Sequence, residues 1–207
     1  IEEMLHHTKA ARRGAPDTFI VADLPYLSYS NSQDALMNAG RLVKEGRADA
    51  VKLEGGKDFV PIVDYLTKSG IPVVGHIGLT PQTSVQLGGF KVQGKDMESA
   101  SKIYQDALAL EKAGAIMVVL EAIPALLAEK ITNELIIPTI GIGAGDKCSG
   151  QVLVLHDMLG LYNQFVPKFV KQYDILAENI QTAVGQYCEE VKKSIFPTMK
   201  HSFQIEE

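Results

Sequence analysis

Five ionisable residues lie at the ends of short apolar runs, and together they could do chemistry. They are Asp23, Lys52, Glu54, His76 and Glu121. The three carboxylates could converge on one hard divalent cation, or two could bind it while the third acts as a base. Mg²⁺ is typically held by one or two carboxylates together with water and substrate oxygens. Lys52 would supply positive charge for an anionic substrate. The alternative is a set of ion pairs at the rim of a sheet, with Lys52–Glu54 the obvious pair.

The runs that carry these residues are predicted strands of a parallel sheet. Each is rich in Val, Ile or Leu on both faces, which is typical of a strand buried on both sides. The predicted strands are 19–24, 50–54, 72–79, 116–122, 138–143 and 152–157. Helical patterns are predicted at 33–45, 59–69, 97–113, 125–135 and 174–194. This alternation predicts an α/β fold with a parallel sheet, in one domain over residues 1–207.

Ionisable residues close five of these six predicted strands, the last of them at His156 and Asp157. Buried charges are costly unless they are paired or bound to metal, so folding alone does not require this pattern. In barrels and open α/β sheets alike, the chemistry lies at the carboxyl ends of the strands. The loop 80–96 is also long for a compact domain, which indicates a functional segment. The sequence therefore predicts an active site at this edge of the sheet.

Composition excludes several classes of protein. The 207 residues carry 20 basic and 25 acidic side chains, a net charge of −5, which argues against nucleic-acid binding. The longest apolar stretches, such as 113–120, are too short to cross a bilayer. The opening residues lack the basic stretch and apolar core of a secretory signal. Cys148 and Cys188 form neither a disulfide framework nor a zinc-binding pattern, as expected in a reducing compartment.

Several strings in one order resemble the ketopantoate hydroxymethyltransferase family. The matching segments are 12–16, 21–25, 51–56, 75–82, 91–94, 119–121, 141–145, 150–154, 156–157 and 201–203. The resemblance extends over essentially all 207 residues. It implies a (β/α)₈ TIM barrel of the phosphoenolpyruvate-binding superfamily, with strands 3–8 present here and strands 1–2 missing. A barrel of this type has about 250 residues. The amphipathic segment 1–13 would then be the helix that follows the missing second strand.

The resemblance also implies an activity. A hydroxymethyl group would pass from 5,10-methylenetetrahydrofolate to 3-methyl-2-oxobutanoate through an enolate stabilised by Mg²⁺, giving 2-dehydropantoate for pantothenate synthesis. By motif, Asp23 and Glu54 match metal ligands. Asp23, Lys52 and His76 match substrate-binding residues, and Glu121 matches the catalytic base. The partners would be a small 2-oxo acid and a folate, without nucleic acid or membrane. The family forms a homodecamer, and a cytoplasmic location is expected, with an organellar one left open.

Two other functions are compatible with the same residues. One is a Mg²⁺-dependent lyase of the same superfamily acting on another 2-oxo acid, because related lyases carry similar strings. The other is an inactive partial chain. Consumption of methylenetetrahydrofolate would separate the transferase from the lyase, and binding of Mg²⁺ and 2-oxo acid would separate both enzymes from the inactive chain.

Overall fold

Six parallel strands form one sheet, and each strand pairs with its neighbours in sequence. They are β1 (Val21–Asp23), β2 (Ala50–Glu54), β3 (Val73–Gly78), β4 (Met117–Glu121), β5 (Thr139–Ile142) and β6 (Gly150–Gln151). The computed structural model describes residues 1–162 and 164–205. Parallel neighbours need crossover connections, and all but the last connection contain a helix. Sequential parallel order is the arrangement of a βα barrel, here a partial barrel, so the predicted fold class is confirmed.

Five helices accompany these strands. They are α1 (Glu2–Gly14), α2 (Ser32–Lys44), α3 (Val60–Lys68), α4 (Met97–Lys112) and α5 (Ala125–Glu134). Two of them begin with a side-chain cap, in which Asn31 accepts a hydrogen bond from the Asp34 N–H and Asp96 accepts one from the Ser99 N–H. Such caps satisfy backbone donors that the first turn leaves unpaired. Helices α2 to α5 start and end within one residue of the predicted segments.

The main core lies between the sheet and its helices. Its fully buried members include Leu53 and Leu120 from the sheet, together with Leu42, Leu66 and Leu110 from the helices. Burying a leucine side chain contributes roughly 1.5–3 kcal/mol relative to leaving it exposed. This side of the sheet therefore contains most of the buried apolar side chains.

The opposite face of the sheet carries both apolar and polar side chains. A small apolar cluster on this face consists of Ala50, Val74, Val119 and Ile142. Side chains two residues apart on a strand point to the same face. The side chains two residues after Ala50, Val74 and Val119 therefore share that face, and they are Lys52, His76 and Glu121. On strands β1 to β4, the polar side chains of this face therefore lie at the carboxyl ends.

The chain divides into two compact units, Ile1–Val152 and Leu153–Glu207. The sheet and helices α1 to α5 belong to the first. The second contains α6 (Leu155–Met158) and α7 (Leu176–Lys192). The long final helix was predicted, but none of its described residues is buried. No helix in residues 1–162 and 164–205 is both long and apolar enough to span a membrane.

The predicted strand 152–157 is wrong. Pairing with β5 stops at Gly150 and Gln151, which face Ile140 and Gly141. The apolar run that follows has 44% to 55% of its surface exposed at Val152, Val154 and Leu155. It therefore lacks the two-sided burial that its composition suggested, and Leu155 begins α6. His156 and Asp157 are consequently helical and do not end a strand.

Candidate active site

The register of the sheet brings the five predicted residues to one edge. Asp23 of β1 stands beside Lys52 of β2, and Glu54 of β2 stands beside His76 of β3. Glu121 ends β4, where its register partner on β3 is Gly78, two residues beyond His76. Four adjacent strands thus contribute three carboxylates, one ammonium group and one imidazole to the same surface.

Lys52 forms its ion pair with Asp23. The Lys52 Nζ lies 3.0 Å from Asp23 Oδ2, and the two side chains are 18% and 45% exposed. The predicted Lys52–Glu54 pair is wrong: the partner of Lys52 is Asp23, which stands directly opposite it on the neighbouring strand. The pair leaves Asp23 half-open to solvent and holds the lysine ammonium over the edge of the sheet.

His76 lies between two glutamates. Its Nε2 is 3.0 Å from Glu121 Oε2, and its Nδ1 is 3.7 Å from Glu54 Oε1. The Nδ1 contact is too long for a hydrogen bond and the Nε2 contact does not have hydrogen-bond geometry, so within the described part of the chain both ring nitrogens are buried without a hydrogen-bond partner. Buried polar atoms are usually satisfied, and an exception calls for a functional reason.

Glu54 is the most deeply buried carboxylate of the site, with 6% of its surface exposed. Its Oε2 accepts a hydrogen bond of 2.9 Å from the Gln82 N–H. Burial raises the pKa of Glu54 above its ordinary value, while His76, the Gln82 N–H and Lys52 act in the opposite direction. A cation or a donor near Oε1 would therefore favour the charged form.

Two residues of this edge were missed by reasoning from sequence. Tyr29 and Gln82 join the ends of β1 and β2: the Tyr29 hydroxyl donates to Gln82 Oε1 at 2.6 Å, and Gln82 Nε2 donates to the Leu24 carbonyl at 3.0 Å. Burial raises the pKa of Tyr29 to about 12, so its hydroxyl stays protonated at neutral pH. Gln82 falls in a matching segment and in the long loop, but no pattern indicated its contacts.

Two of the carboxylates fit a magnesium ion. Asp23 and Glu54 end neighbouring strands, Asp23 is open to solvent, and Glu54 Oε1 accepts no hydrogen bond from the described residues. A pair of carboxylates with water and substrate oxygens is an ordinary Mg²⁺ donor set. Residues 1–162 and 164–205 contain no group of three or more His, Cys, Asp or Glu side chains in metal-binding geometry. The remaining ligands would accordingly come from water and substrate.

The larger of two cavities lies away from this edge of the sheet. It has a volume of about 280 Å³ and lies between the turn Lys57–Phe59 and α4, where none of the five predicted residues lines it. A smaller cleft of about 80 Å³ adjoins Glu54 and is bordered by Tyr26, Tyr29 and Phe59. The five predicted residues therefore lie at the open edge of the sheet and not in the larger cavity.

Acid–base and charged groups at the carboxyl ends of a parallel βα sheet define an enzyme of the α/β-barrel class. Solved structures share the fold. A candidate phosphonomutase from Burkholderia cenocepacia J2315 gives a TM-score of 0.51 at 14% identity, over 68% of this chain and 61% of that one. A candidate lyase/mutase from the same organism gives a TM-score of 0.51 at 14% identity, over 98% of this chain and 72% of that one.

Sequence comparison then identifies the family. The model of ketopantoate hydroxymethyltransferase matches residues 1–199. Proteins named 3-methyl-2-oxobutanoate hydroxymethyltransferase are similar: 57% identity over 203 residues in Thermus thermophilus, and 55% over 208 residues in Bacillus cereus. The first match covers 98% of this chain and 78% of the relative's length, and the second covers 100% and 75%, respectively. The chain belongs to the ketopantoate hydroxymethyltransferase family, which is a family of transferases, and the predicted resemblance is confirmed.

Proposed function

We propose that this chain transfers a hydroxymethyl group from 5,10-methylenetetrahydrofolate to 3-methyl-2-oxobutanoate, giving 2-dehydropantoate. The observation that carries the proposal is the row of Asp23, Lys52, Glu54, His76 and Glu121 at the ends of four adjacent strands. Such a reaction needs a base, positive charge for an anionic substrate and polarisation of a keto group, and this row contains a residue suited to each. Homodecamer assembly and a cytoplasmic location remain expectations from the family resemblance.

Asp23 and Glu54 would hold Mg²⁺. When bound, the ion supplies a Lewis acid that polarises the keto group of a 2-oxo acid. The two carboxylates differ in setting, because Asp23 is half-exposed and ion-paired whereas Glu54 is buried. Asp23 is therefore also the one placed to lie beside an incoming substrate, and Glu54 is the buried ligand of the pair.

Lys52 would bind the substrate carboxylate. Its ammonium is partly desolvated, with 18% of the side chain exposed, and is oriented by Asp23 at 3.0 Å. A partly buried cation attracts an anion more strongly than one in bulk water. The same attraction would orient C3 of the 2-oxo acid relative to the sheet edge, since the carboxylate and keto groups are directly bonded.

Glu121 would remove the proton from C3. The C3–H bond breaks, its electron pair moves into the C2–C3 bond to give the enolate, and the proton passes to Glu121. C3 then forms a bond to the methylene carbon as that carbon leaves the folate nitrogens. Water supplies the oxygen and one hydrogen of the new hydroxyl group. The two folate nitrogens each gain a proton: one is the second proton of that water, and the other balances the proton removed from C3. His76 contacts Glu121 and would hold its carboxylate in place.

Deuterium exchange at C3 tests the proposal. In D₂O with Mg²⁺ and 3-methyl-2-oxobutanoate, the parent protein should exchange the C3 proton without any folate. Glu121→Gln should slow exchange by about 100-fold or more, the usual scale for loss of a general base, and leave 2-oxo acid binding intact. Glu98→Gln, an exposed carboxylate on α4, is the control. Undiminished exchange in Glu121→Gln would remove Glu121 from the role of base.

Formation of 2-dehydropantoate tests the donor. Adding methylenetetrahydrofolate to the exchanging parent protein should give stoichiometric product and tetrahydrofolate. If the C3 proton exchanged but no 2-dehydropantoate formed, enolate formation would be supported and transfer from the folate would be contradicted.

A further inference from the structure

Gln82 contacts the ends of two strands at once. It lies in the turn Pro81–Thr83 that follows β3. Its main-chain N–H donates to Glu54 Oε2 at 2.9 Å, and its side-chain Nε2 donates to the Leu24 carbonyl at 3.0 Å. Leu24 directly follows Asp23. One residue therefore contacts one proposed metal carboxylate directly and the backbone adjoining the other.

Tyr29 determines how the Gln82 amide is oriented. Its hydroxyl donates to Gln82 Oε1 at 2.6 Å and accepts a longer hydrogen bond of 3.4 Å from the Glu54 N–H. The Tyr29 residue is 5% exposed, and its ring packs edge-on against Phe59 at 5.5 Å between centroids. The amide oxygen faces a hydroxyl donor and the amide nitrogen faces a carbonyl. If the amide were flipped, its oxygen would face the Leu24 carbonyl, and the hydrogen bond to that carbonyl would be lost.

These contacts are not needed to join the strands. The ladder between β1 and β2 already continues to the Leu24 N–H, which donates to the Lys52 carbonyl at 2.9 Å. Of these contacts, the one from the Gln82 main-chain N–H acts on the Glu54 carboxylate. It occupies Oε2 and leaves Oε1 directed towards His76, 3.7 Å from its Nδ1. The side-chain contacts of Tyr29 and Gln82 hold the turn that presents this N–H.

We infer that Tyr29 and Gln82 are positioning residues that clamp the Glu54 carboxylate and the backbone next to Asp23 in the arrangement required for Mg²⁺. The inference deepens the proposed function and rests on it. Partners that orient a ligand carboxylate reduce the rearrangement needed on binding, and their loss typically weakens metal binding 10- to 100-fold. Neither residue touches the reacting atoms, so the clamp should act first on metal affinity.

Calorimetric titration with Mg²⁺ tests the clamp directly. Gln82→Leu keeps the main-chain N–H but loses the side-chain contacts that hold it, and Tyr29→Phe loses the hydroxyl that orients the Gln82 amide. Each should weaken Mg²⁺ binding roughly 10- to 100-fold. The double variant should be little weaker than Gln82→Leu alone, since both substitutions break one network. Tyr104→Phe, a partly buried tyrosine on α4 outside the site, should leave Mg²⁺ affinity unchanged. Thermal unfolding of each variant separates loss of affinity from loss of structure, and Tyr29→Phe serves alone if Gln82→Leu does not fold.

The outcomes distinguish the clamp from the proposed function. If the parent protein binds Mg²⁺ and both variants bind it equally well, the clamp is overturned and the proposed function stands. A lower unfolding midpoint with unchanged affinity would also overturn the clamp, because it would show a structural role only. A parent protein that binds no Mg²⁺ would overturn both. If the parent binds Mg²⁺ and the variants bind it weakly, but no C3 exchange occurs, the clamp stands and the proposed function fails.

Discussion

The Nε2 atom of His76 lies 3.0 Å from Glu121 Oε2, while its Nδ1 faces Glu54 Oε1 at 3.7 Å. One imidazole therefore connects the proposed base with a proposed metal ligand. The His76 side chain is only 4% exposed and is not hydrogen bonded to any described residue. A buried polar ring held in this way costs stability, which points to a role in function.

Replacing His76 by Phe should separate activity from stability. The ring volume is largely kept. Two unsatisfied polar atoms are removed, while Glu54 and Glu121 lose the imidazole that faces them, so the thermal unfolding midpoint should change little. Exchange at C3 should fall about 100-fold, because Glu121 loses the contact that holds it. Thermal unfolding and deuterium exchange measure the two effects, with exposed His7→Phe on α1 as control. Full exchange activity in His76→Phe would contradict a positioning role.

Lys52→Met should act mainly on substrate affinity. The substitution keeps the aliphatic stem, removes the ammonium and leaves Asp23 without its ion partner. We expect the KM for the 2-oxo acid to rise roughly 10- to 100-fold, the scale expected when one partner of a partly buried charge pair is removed. Lys68→Met is the matched control, because Lys68 pairs with Asp64 at 2.8 Å on an exposed helix surface. Equal KM values for the two variants would exclude Lys52 from substrate binding.

Gly56→Ala tests the turn that follows Glu54. A Cβ at residue 56 would overlap the carboxyl group of Asp106. Asp106 cannot move away cheaply, because it is 7% exposed and its Oδ1 accepts the Lys57 N–H at 2.9 Å. We expect a loss of roughly 1–3 kcal/mol in the free energy of unfolding, measured by urea denaturation.

Gly40→Ala is the control for that substitution. Gly40 lies within α2, and a Cβ there meets no atom within 4 Å. Alanine at this helical position should stabilise the protein by about 0.5–1 kcal/mol. Opposite signs for the two Gly→Ala changes would support the steric interpretation, and a shared sign would contradict it.

The location of the site could be predicted from sequence because the apolar pattern of each strand shows where that strand ends. Two-sided apolar runs identified five of the six strands, and alternation placed Lys52 and Glu54 on one face. The partner of Lys52 could not be derived, because it depends on the register between β1 and β2. Tyr29 and Gln82 were missed for a related reason. Their side chains contact each other across 53 residues of sequence, and Gln82 also uses its main-chain N–H and the Leu24 carbonyl, which no side-chain pattern records.

Arg12 and Asp49 offer a test of stability at the opposite end of the strands. The Arg12 guanidinium donates to the carbonyls of Pro16, Thr18 and Arg47 and forms an ion pair with Asp49. The Ile20 N–H, and after it Arg12, lowers the pKa of Asp49 below its ordinary value of 3.8. A carboxyl group with a lowered pKa in the folded state adds stability above the unfolded-state pKa, and that stability disappears as the pH falls through the folded-state value.

Asp49→Asn should therefore destabilise the protein in a pH-dependent way. The amide oxygen can still accept the Ile20 N–H, so the lost contribution is chiefly the charge beside Arg12. We expect a lower free energy of unfolding than the parent at pH 7, and a difference that narrows below about pH 4 as the parent carboxylate takes up a proton. Urea denaturation from pH 7 to pH 3 measures this, with Asp146→Asn, 84% exposed, as control. A difference that stayed constant over this range would show that hydrogen-bond geometry at Asp49, and not its charge, stabilises this end of the sheet.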